Sequence, residues 1–173
     1  MADMLPVPGS AGELMLYQTE DGRTRIQVRL DSGTLWMSLH GMAELFQTSV
    51  PNISMHLKNI FTEGELHREA TIKQYLTVQL EGTRQVQRAI DYYHLDAILA
   101  VGYRVRSQRG TQFRQWATGV LREYVTKGFA MDDERLKHPG GVGDDYFDEL
   151  LERIRDIMTS ERRFYLKVCD IVL

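Results

Sequence analysis

Residues 42–57 restrict the fold of this chain more than any other stretch, because they predict two helices separated by a polar break. A short apolar segment ends at Phe46, and the polar residues Gln47-Thr48-Ser49 follow it. Ser49 is suited to cap the second helix, and Pro51 is tolerated in the first turn, where backbone N–H groups have no partner within the helix. This pattern is typical of a helix-turn-helix.

The second helix should end at Gly64 and is expected to have two different faces. Its apolar residues recur at helical spacing and should face the first helix; they are Ile53, Leu57, Ile60 and Phe61. The opposite side should reach base edges in a DNA major groove, and its residues are Asn52, Met55, Lys58 and Asn59. Ser49 would present its hydroxyl and the helix N-terminus to a phosphate oxygen. The alternative is a plain pair of helices whose polar face is only solvated.

Alternating polar and apolar residues predict strands on both sides of this helix pair. Before it, the strands are residues 24–30 and 34–37, joined by a turn at Asp31-Ser32-Gly33. After it, residues 75–80 and 84–90 form a hairpin that turns at Glu81-Gly82-Thr83. This order predicts an α+β fold, a winged helix-turn-helix followed by a helical segment and a C-terminal helix.

The predicted hairpin would be the wing. Arg84 and Arg88 are its candidates for phosphate contact. The alternative is that these arginines, exposed on a strand, only add solubility.

Two further helices follow the hairpin. The first spans residues 94–101 and should end at Gly102; the second is capped by Ser107 and runs to about Lys127, with Gly128 just past its end. The second helix carries a continuous apolar face, made of Phe113, Trp116, Ala117, Val120, Leu121, Tyr124 and Val125. We expect Phe113 and Trp116 to pack in the core rather than to stack on bases.

Four arginines cluster where these two helices meet: Arg104, Arg106, Arg109 and Arg114. One interpretation is a phosphate clamp, in which guanidinium groups bind oxygen and Gly110 lets backbone amides approach. The other is a network within the domain, in which Arg104 or Arg106 pairs with Asp96 or with the acidic C-terminal helix. The sequence leaves both interpretations open.

We divide the chain into four parts: a flexible tail (1–13), a DNA-binding domain (14–130, with the winged helix-turn-helix at 14–92), a linker (131–143) and a C-terminal helix (144–173). The linker assignment rests on the glycine- and proline-containing run from 137 to 143. The last helix has an apolar stripe that predicts packing on the domain or homodimerisation, made of Phe147, Leu150, Leu151, Ile154, Ile157, Met158 and Phe164.

The charge distribution favours a nucleic-acid surface more than the net charge does. The formal net charge is −3, yet residues 94–130 carry +4 and residues 131–173 carry −4. Cys169 is the only cysteine, so no disulfide forms within the chain, and we expect a cytoplasmic protein. No run of residues is apolar enough for a membrane span. We find no pattern for a catalytic set, a metal site or a cofactor.

The run Val101-Gly-Tyr-Arg-Val105, leading into Phe113-Arg-Gln-Trp116, is distinctive. With the helix pair before it and the run from Glu161 to Asp170 after it, the chain resembles the RhuM family of bacterial virulence-associated proteins, from about Tyr17 to Asp170. It is also similar to phage antirepressor N-terminal domains of the Bro and KilA type. The resemblance implies a DNA-binding protein from a genomic island or prophage, with a toxin-like or Fic-type partner. Members of the family usually continue beyond Lys167-Val-Cys-Asp170, so this chain resembles a shortened form.

The function we expect is therefore binding of double-stranded DNA, as a transcriptional regulator or antirepressor-like protein. The alternative is a protein–protein interaction module of a toxin or effector system, in which the helix pair is only a scaffold.

Overall fold

A turn of two residues with left-handed backbone joins two of the predicted strands. Ser32 has a φ of 56° and Gly33 a φ of 74°, and a turn of this kind matches the twist of neighbouring strands. It connects β3 (Arg25–Asp31) to β4 (Thr34–Ser38), which pair antiparallel. The strands and the turn predicted here are confirmed.

The structure is a computed structural model that describes residues 5–7, 13–18, 25–82, 84–137, 145–160 and 169. Within these residues six strands form one sheet in the order β1-β2-β3-β4-β6-β5, with every neighbouring pair antiparallel. The remaining strands are β1 (Leu5–Val7), β2 (Glu13–Gln18), β5 (Ile72–Glu81) and β6 (Arg84–His94). The fold is mixed α+β, as predicted.

Strand β1 lies inside the segment that we assigned to a flexible tail. Leu5 pairs with Leu16 and Val7 with Leu14, in an antiparallel hairpin with β2. The other residues of the segment up to residue 12 lie outside the described residues.

Helices α1 (Leu39–Leu45) and α2 (Val50–Thr62) form the predicted helix pair. The hydroxyl of Ser49 caps α2 by accepting a hydrogen bond of 3.4 Å from the backbone N–H of Asn52. In the turn between the helices Gln47 adopts a φ of 49°. The predicted cap and break are confirmed.

Gly64 ends α2 as predicted, with a φ of 73°. Its backbone N–H donates to the carbonyl of Phe61, and that of Glu65 donates to the carbonyl of Ile60. This pair of hydrogen bonds satisfies carbonyl groups that the end of a helix leaves unpaired. A short helix, α3 (Arg68–Thr71), then leads into β5.

Helices α4 (Leu95–Arg104) and α5 (Gln108–Lys127) follow the hairpin of β5 and β6. Ser107 caps α5 and Gly128, with a φ of 83°, ends it, both as predicted. The prediction that Gly102 ends α4 is wrong, because the helix continues to Arg104. Gly102 serves packing instead: a Cβ atom there would lie 2.6 Å from Cε1 of Phe113.

The core lies between one face of the sheet and helices α1, α2 and α4. Val28, Met37 and Tyr93, which are neighbours across β3, β4 and β6, contribute the sheet side. The predicted inner face of α2 is buried at Ile53, Leu57 and Ile60, and Phe61 packs against the same cluster. Burial of this face leaves the opposite side of α2 at the surface.

The contacts divide the chain into two compact units, Met1–Phe129 and Ala130–Leu173. The second unit contains α6 (Asp133–Lys137) and α7 (Asp145–Thr159). Helix α6 falls in the stretch that we assigned to a linker, and residues 138–143 of that stretch lie outside the described residues. Phe164, which we placed on the apolar stripe of the last helix, also lies outside them.

Candidate nucleic-acid interface

The outer face of α2 is the surface that the sequence assigns to DNA. Met55, Lys58 and Asn59 are exposed on it, and so is the capping residue Ser49. No acidic residue occurs between 50 and 62. This face is therefore long, accessible and free of carboxylates of its own, which suits it to approach a polyanion.

Asn52 has a structural contact at the beginning of this face. Its side-chain amide donates a hydrogen bond of 2.7 Å to the hydroxyl of Thr48, and the residue is half-buried. This bond ties the first turn of α2 to the turn before it. One N–H of the Asn52 amide is thus already engaged in holding α2 to the turn that precedes it.

The positive charges of Arg104, the last residue of α4, and of Arg106 act on a histidine of α2. The pKa of His56 is lowered from its ordinary value, first by partial burial and then by the positive charges of Arg104 and Arg106. His56 shares one helical stripe with Asn52 and Asn59, since the three are spaced by four and three residues. Arg106 is exposed, so a cation borders this edge of the outer face of α2.

Arg104 is bound within the chain. Its guanidinium donates to Glu63 at 2.6 Å and also to Glu65. The hydrogen bond from Arg104 is the main cause that lowers the pKa of Glu63. Of the two interpretations of Arg104, the internal network matches this geometry, but the acids are Glu63 and Glu65 rather than Asp96 or the C-terminal helix.

Arg114 also has acceptors inside the chain. Its guanidinium donates to the carbonyl of Val105 at 2.8 Å, to the carbonyl of Gly102 at 3.3 Å and to the hydroxyl of Thr111 at 3.2 Å. These contacts satisfy carbonyl groups at the end of α4. Arg114 therefore joins α5 to α4.

Gly110 does not have the role that we expected. Its backbone N–H donates to the hydroxyl of Ser107 at 3.0 Å, and a Cβ atom would lie 2.6 Å from the carbonyl oxygen of Val105. The glycine is buried against the chain and its amide is engaged in the helix cap. The expectation that it brings amides to a phosphate is wrong, because α4 occupies that space.

Arg109 lies in the first turn of α5 and is half-buried. It contacts the amide oxygen of Gln112 at 3.5 Å, on the same helix. Arg109 lies one helical turn before Phe113, in the part of α5 that packs on α4.

The hairpin of β5 and β6 carries Arg84 and Arg88, both exposed. Arg88 is paired with Thr77 across the hairpin, and Arg84 stands next to the turn at Gly82. The two arginines are four residues apart on one strand, so they share a face of the hairpin. Leu76, on the other strand of the hairpin, is exposed to 71%.

The aromatic residues of α5 behave differently from one another. Phe113 packs against Phe46 and Tyr103, with ring centroids at 5.9 and 5.5 Å, and its core role is confirmed. Trp116 contacts Phe113 on one side but is 63% exposed. The prediction that Trp116 lies in the core is wrong, because α5 continues past the helices that would cover it.

Sequence reasoning missed a polar cluster on the sheet face opposite the core. The carboxylate of Asp31 accepts hydrogen bonds from Lys73 at 2.7 Å and Tyr75 at 2.6 Å, which lower its pKa to about 2. Burial and the bond to Asp31 raise the pKa of Tyr75 to about 12. The guanidinium of Arg29 lies over the rings of Tyr75 and Tyr92. Strand parity was the available signal, because Arg29 and Asp31 alternate with buried Val28.

The described part of the chain holds no group of three His, Cys, Asp or Glu residues placed to bind a metal ion. None of its helices is long and apolar enough to cross a lipid bilayer.

Comparison with known proteins adds one result to this geometry. No curated protein matches the chain, and no solved structure matches it. The family model of the virulence protein RhuM family matches residues 70–173. The matched range contains β5, β6, α4, α5 and the second unit, but it does not contain α1 and α2. Because this range is more than half of the chain, and because it contains the Val-Gly-Tyr-Arg-Val run and the tryptophan that follows it, the chain belongs to the virulence protein RhuM family.

Proposed function

We propose that this member of the RhuM family binds double-stranded DNA through a winged helix-turn-helix. In this proposal α2 enters the major groove, and the hairpin of β5 and β6 is the wing. The protein acts in the cytoplasm as a transcriptional regulator or antirepressor-like factor encoded on a mobile element or pathogenicity island. The family description supports an association with virulence. DNA binding is the part of the proposal that requires an experiment.

One observation carries the proposal: the outer face of α2 is exposed, has no carboxylate of its own and is bordered by Arg106. Helices that read DNA in other proteins use such a face, with a few polar or long side chains directed at base edges. Lys58 can donate to guanine or to phosphate, Asn59 can pair with adenine, and Met55 can contact a thymine methyl group.

The phosphate contacts divide the predicted arginines into two groups. We assign phosphates to exposed Arg106, Arg84 and Arg88, to Arg109, and to the N-terminus of α2 at Ser49. We assign Arg104 and Arg114 to positioning, because their guanidinium groups already bind Glu63, Glu65 and backbone carbonyls. Asn52 joins the positioning group through its bond to Thr48.

The decisive experiment measures fluorescence anisotropy of a labelled duplex of random sequence at several salt concentrations between 50 and 200 mM. Binding through several phosphates weakens steeply with salt, and the logarithmic slope is close to −0.9 for each phosphate neutralised. We expect Lys58→Ala and Arg106→Ala each to lower the affinity and to reduce this slope by about 1. Circular dichroism of the variants checks that both remain folded.

Arg122→Ala is the matched control, because it removes one exposed positive charge from a different helix. It should leave the slope unchanged. If the wild-type protein shows no salt-dependent binding, the proposal fails. If binding occurs but both variants bind like wild type, α2 is not the binding surface.

A second candidate is a protein–protein module that binds a toxin or a Fic-type protein. The observation that favours it is the number of large apolar side chains left exposed on α5 and α7, since exposed apolar surface marks interaction sites. Binding to a partner through these helices would be nearly insensitive to substitutions at Lys58 and Arg106. The same pair of variants therefore separates the two functions.

A further inference from the structure

Strand β5 lies at one edge of the sheet, because β6 is its only neighbour among the described strands. The hairpin has a two-residue loop, and its closing pair, Glu81 with Arg84, is a hydrogen-bonded pair. The alternation along the strand then assigns the odd-numbered residues of β5 to hydrogen bonds with β6. The even-numbered residues, from Gln74 to Leu80, direct their backbone N–H and C=O groups to the open edge.

This edge lacks the features that usually prevent pairing with another chain. Natural edge strands are protected by charged residues, prolines, bulges or short length. Strand β5 has ten residues, and the run from 74 to 80 contains neither a charged residue nor a proline. Its register with β6 is continuous over those ten residues, without a bulge. The edge is therefore open to the addition of a further strand.

The middle of β5 leaves both apolar and polar atoms without partners. Ile72 packs against the core, whereas Leu76 and Val78, on the same face of the strand, are exposed to 71% and 54%. Thr77 lies between them on the other face, and its buried hydroxyl has no hydrogen-bond partner in the described part of the chain. Such a hydroxyl costs free energy, so a second strand would have both kinds of group to satisfy.

The edge is complementary to itself. Two copies of β5 can pair antiparallel about a two-fold axis at Thr77, so that Leu76 of each copy faces Val78 of the other. Thr77 then faces its own counterpart, and facing threonines can hydrogen-bond to each other. At both ends of the pairing the lysine at position 73 faces the glutamate at position 81, so opposite charges meet rather than like charges.

We propose that β5 is a dimerisation edge and that its occupant is β5 of a second copy of this chain, paired antiparallel in the register centred on Thr77. The two sheets then form one continuous sheet with two-fold symmetry. Other registers lose the match, since centring the axis on Leu76 would place Gln74 opposite Val78. This inference does not depend on DNA binding, and its test contains no DNA.

The first test compares two double variants at the same two positions. The opposite-charge variant carries Leu76→Lys and Val78→Glu, so the proposed register places a lysine opposite a glutamate twice. The like-charge variant carries Leu76→Lys and Val78→Lys, so lysine faces lysine twice. Both residues are exposed, and circular dichroism checks that both variants fold. Sedimentation equilibrium measures the dissociation constants at about 150 mM salt.

We expect the wild-type chain to dimerise and the like-charge variant to dimerise at least tenfold more weakly than the opposite-charge variant. The control carries Gln87→Lys and Ala89→Lys, which add two charges to the same face of the hairpin but on β6, away from the edge. It should weaken the wild-type dimer by less than threefold. A wild-type chain that stays monomeric up to about 1 mM would overturn the proposal. Equal dissociation constants for the two double variants would overturn it as well.

The second test reads the register directly through a disulfide. In a Cys169→Ser background, Thr77→Cys places a cysteine opposite its counterpart in a pair that is not hydrogen-bonded, where Cα atoms are about 4.5 Å apart. This distance suits a disulfide, so oxidised glutathione should link the two copies. Arg88→Cys is the control, because residue 88 in the two copies would be three strand spacings apart, roughly 14 Å.

The expected result is a covalent dimer for Thr77→Cys and none for Arg88→Cys, seen by electrophoresis without reducing agent. A chain that dimerises but does not link through Thr77→Cys would use a different register or a different surface. Equal linking of both variants would mean that the disulfides arise from random collisions. Either of these two results contradicts the proposal.

Discussion

The guanidinium of Arg114 donates a 2.8 Å hydrogen bond to the carbonyl oxygen of Val105, nine residues earlier in the chain. Val105 is the first residue after the end of α4, and Arg106 follows it directly. The contact therefore fixes the turn from which Arg106 extends beside α2. Arg114, to which no phosphate is assigned, can in this way set the position of Arg106 in the proposed DNA surface.

Replacing this arginine should affect stability and DNA affinity together. Arg114→Met removes the donor and leaves carbonyl groups at the end of α4 without their partner. We expect a loss of about 1–3 kcal/mol in the free energy of unfolding, measured by urea denaturation. Arg122→Met, at an exposed position of the same helix, should change it by less than about 0.5 kcal/mol. Equal losses in both variants would show that the bond to Val105 contributes nothing.

Two glycines in neighbouring helices should respond in opposite ways to alanine. Gly102→Ala places a Cβ atom against the ring of Phe113 and should lower the free energy of unfolding by about 1–3 kcal/mol. Gly119→Ala meets no atom within 4 Å and lies inside α5, so it should raise that free energy by about 0.5–1 kcal/mol. Thermal unfolding of the two variants gives the comparison. A stabilising Gly102→Ala would mean that Phe113 lies elsewhere.

Ser49→Asp should separate the stability of α2 from its proposed function. Aspartate caps a helix about as well as serine, and its negative charge is favourable at the N-terminus. The free energy of unfolding should therefore stay the same or rise slightly. DNA affinity should fall at least tenfold, because the carboxylate repels the phosphate assigned to this helix end. Unchanged affinity, measured by anisotropy, would remove Ser49 from the interface.

The pH dependence of stability should report the cluster around Asp31. Its pKa is about 2 in the folded chain against an ordinary value of 3.8. A carboxyl group whose pKa is lower when folded stabilises the fold above its unfolded pKa, and this contribution is lost as the pH falls toward the folded value. Lys73→Met removes a main cause of the shift. The gap in urea midpoint between this variant and wild type should be larger at pH 6 than at pH 2.5.

Lys58→Met is the control for this experiment, since it removes an exposed lysine from α2. The difference in urea midpoint between Lys58→Met and wild type should not become smaller over the same pH range. A gap for Lys73→Met that is constant with pH would mean that the bond to Asp31 does not depend on its ionisation.

Local rules predicted the helix ends and the tight turns of this fold. Ser49, Ser107, Gly64 and Gly128 act on backbone groups within a few residues, so a short window of sequence contains the whole interaction. Gly102 shows where such rules fail. Nothing near it in sequence distinguishes a helix end from a site of close packing, because Phe113 is eleven residues away and on another helix.

The sequence alone also could not predict which charged residues pair with one another. Arg104 bonds to Glu63 and Glu65, which are 41 and 39 residues away, and Asp31 bonds to Lys73, which is 42 residues away. Many acids are available to any arginine in the chain, and only the packing of α4 on α2 selects among them. The family resemblance stated from the sequence is confirmed for residues 70–173.

Strand β4 has one further consequence, through its last residue. Ser38 pairs with Tyr92 of β6 and also caps α1 through its hydroxyl. The hairpin and the first helix of the pair are thus both attached to β4. A duplex that touches both must adopt the spacing that the protein imposes. The flexibility of the DNA duplex would then influence which DNA sequences the protein binds best, even at base pairs that no side chain contacts.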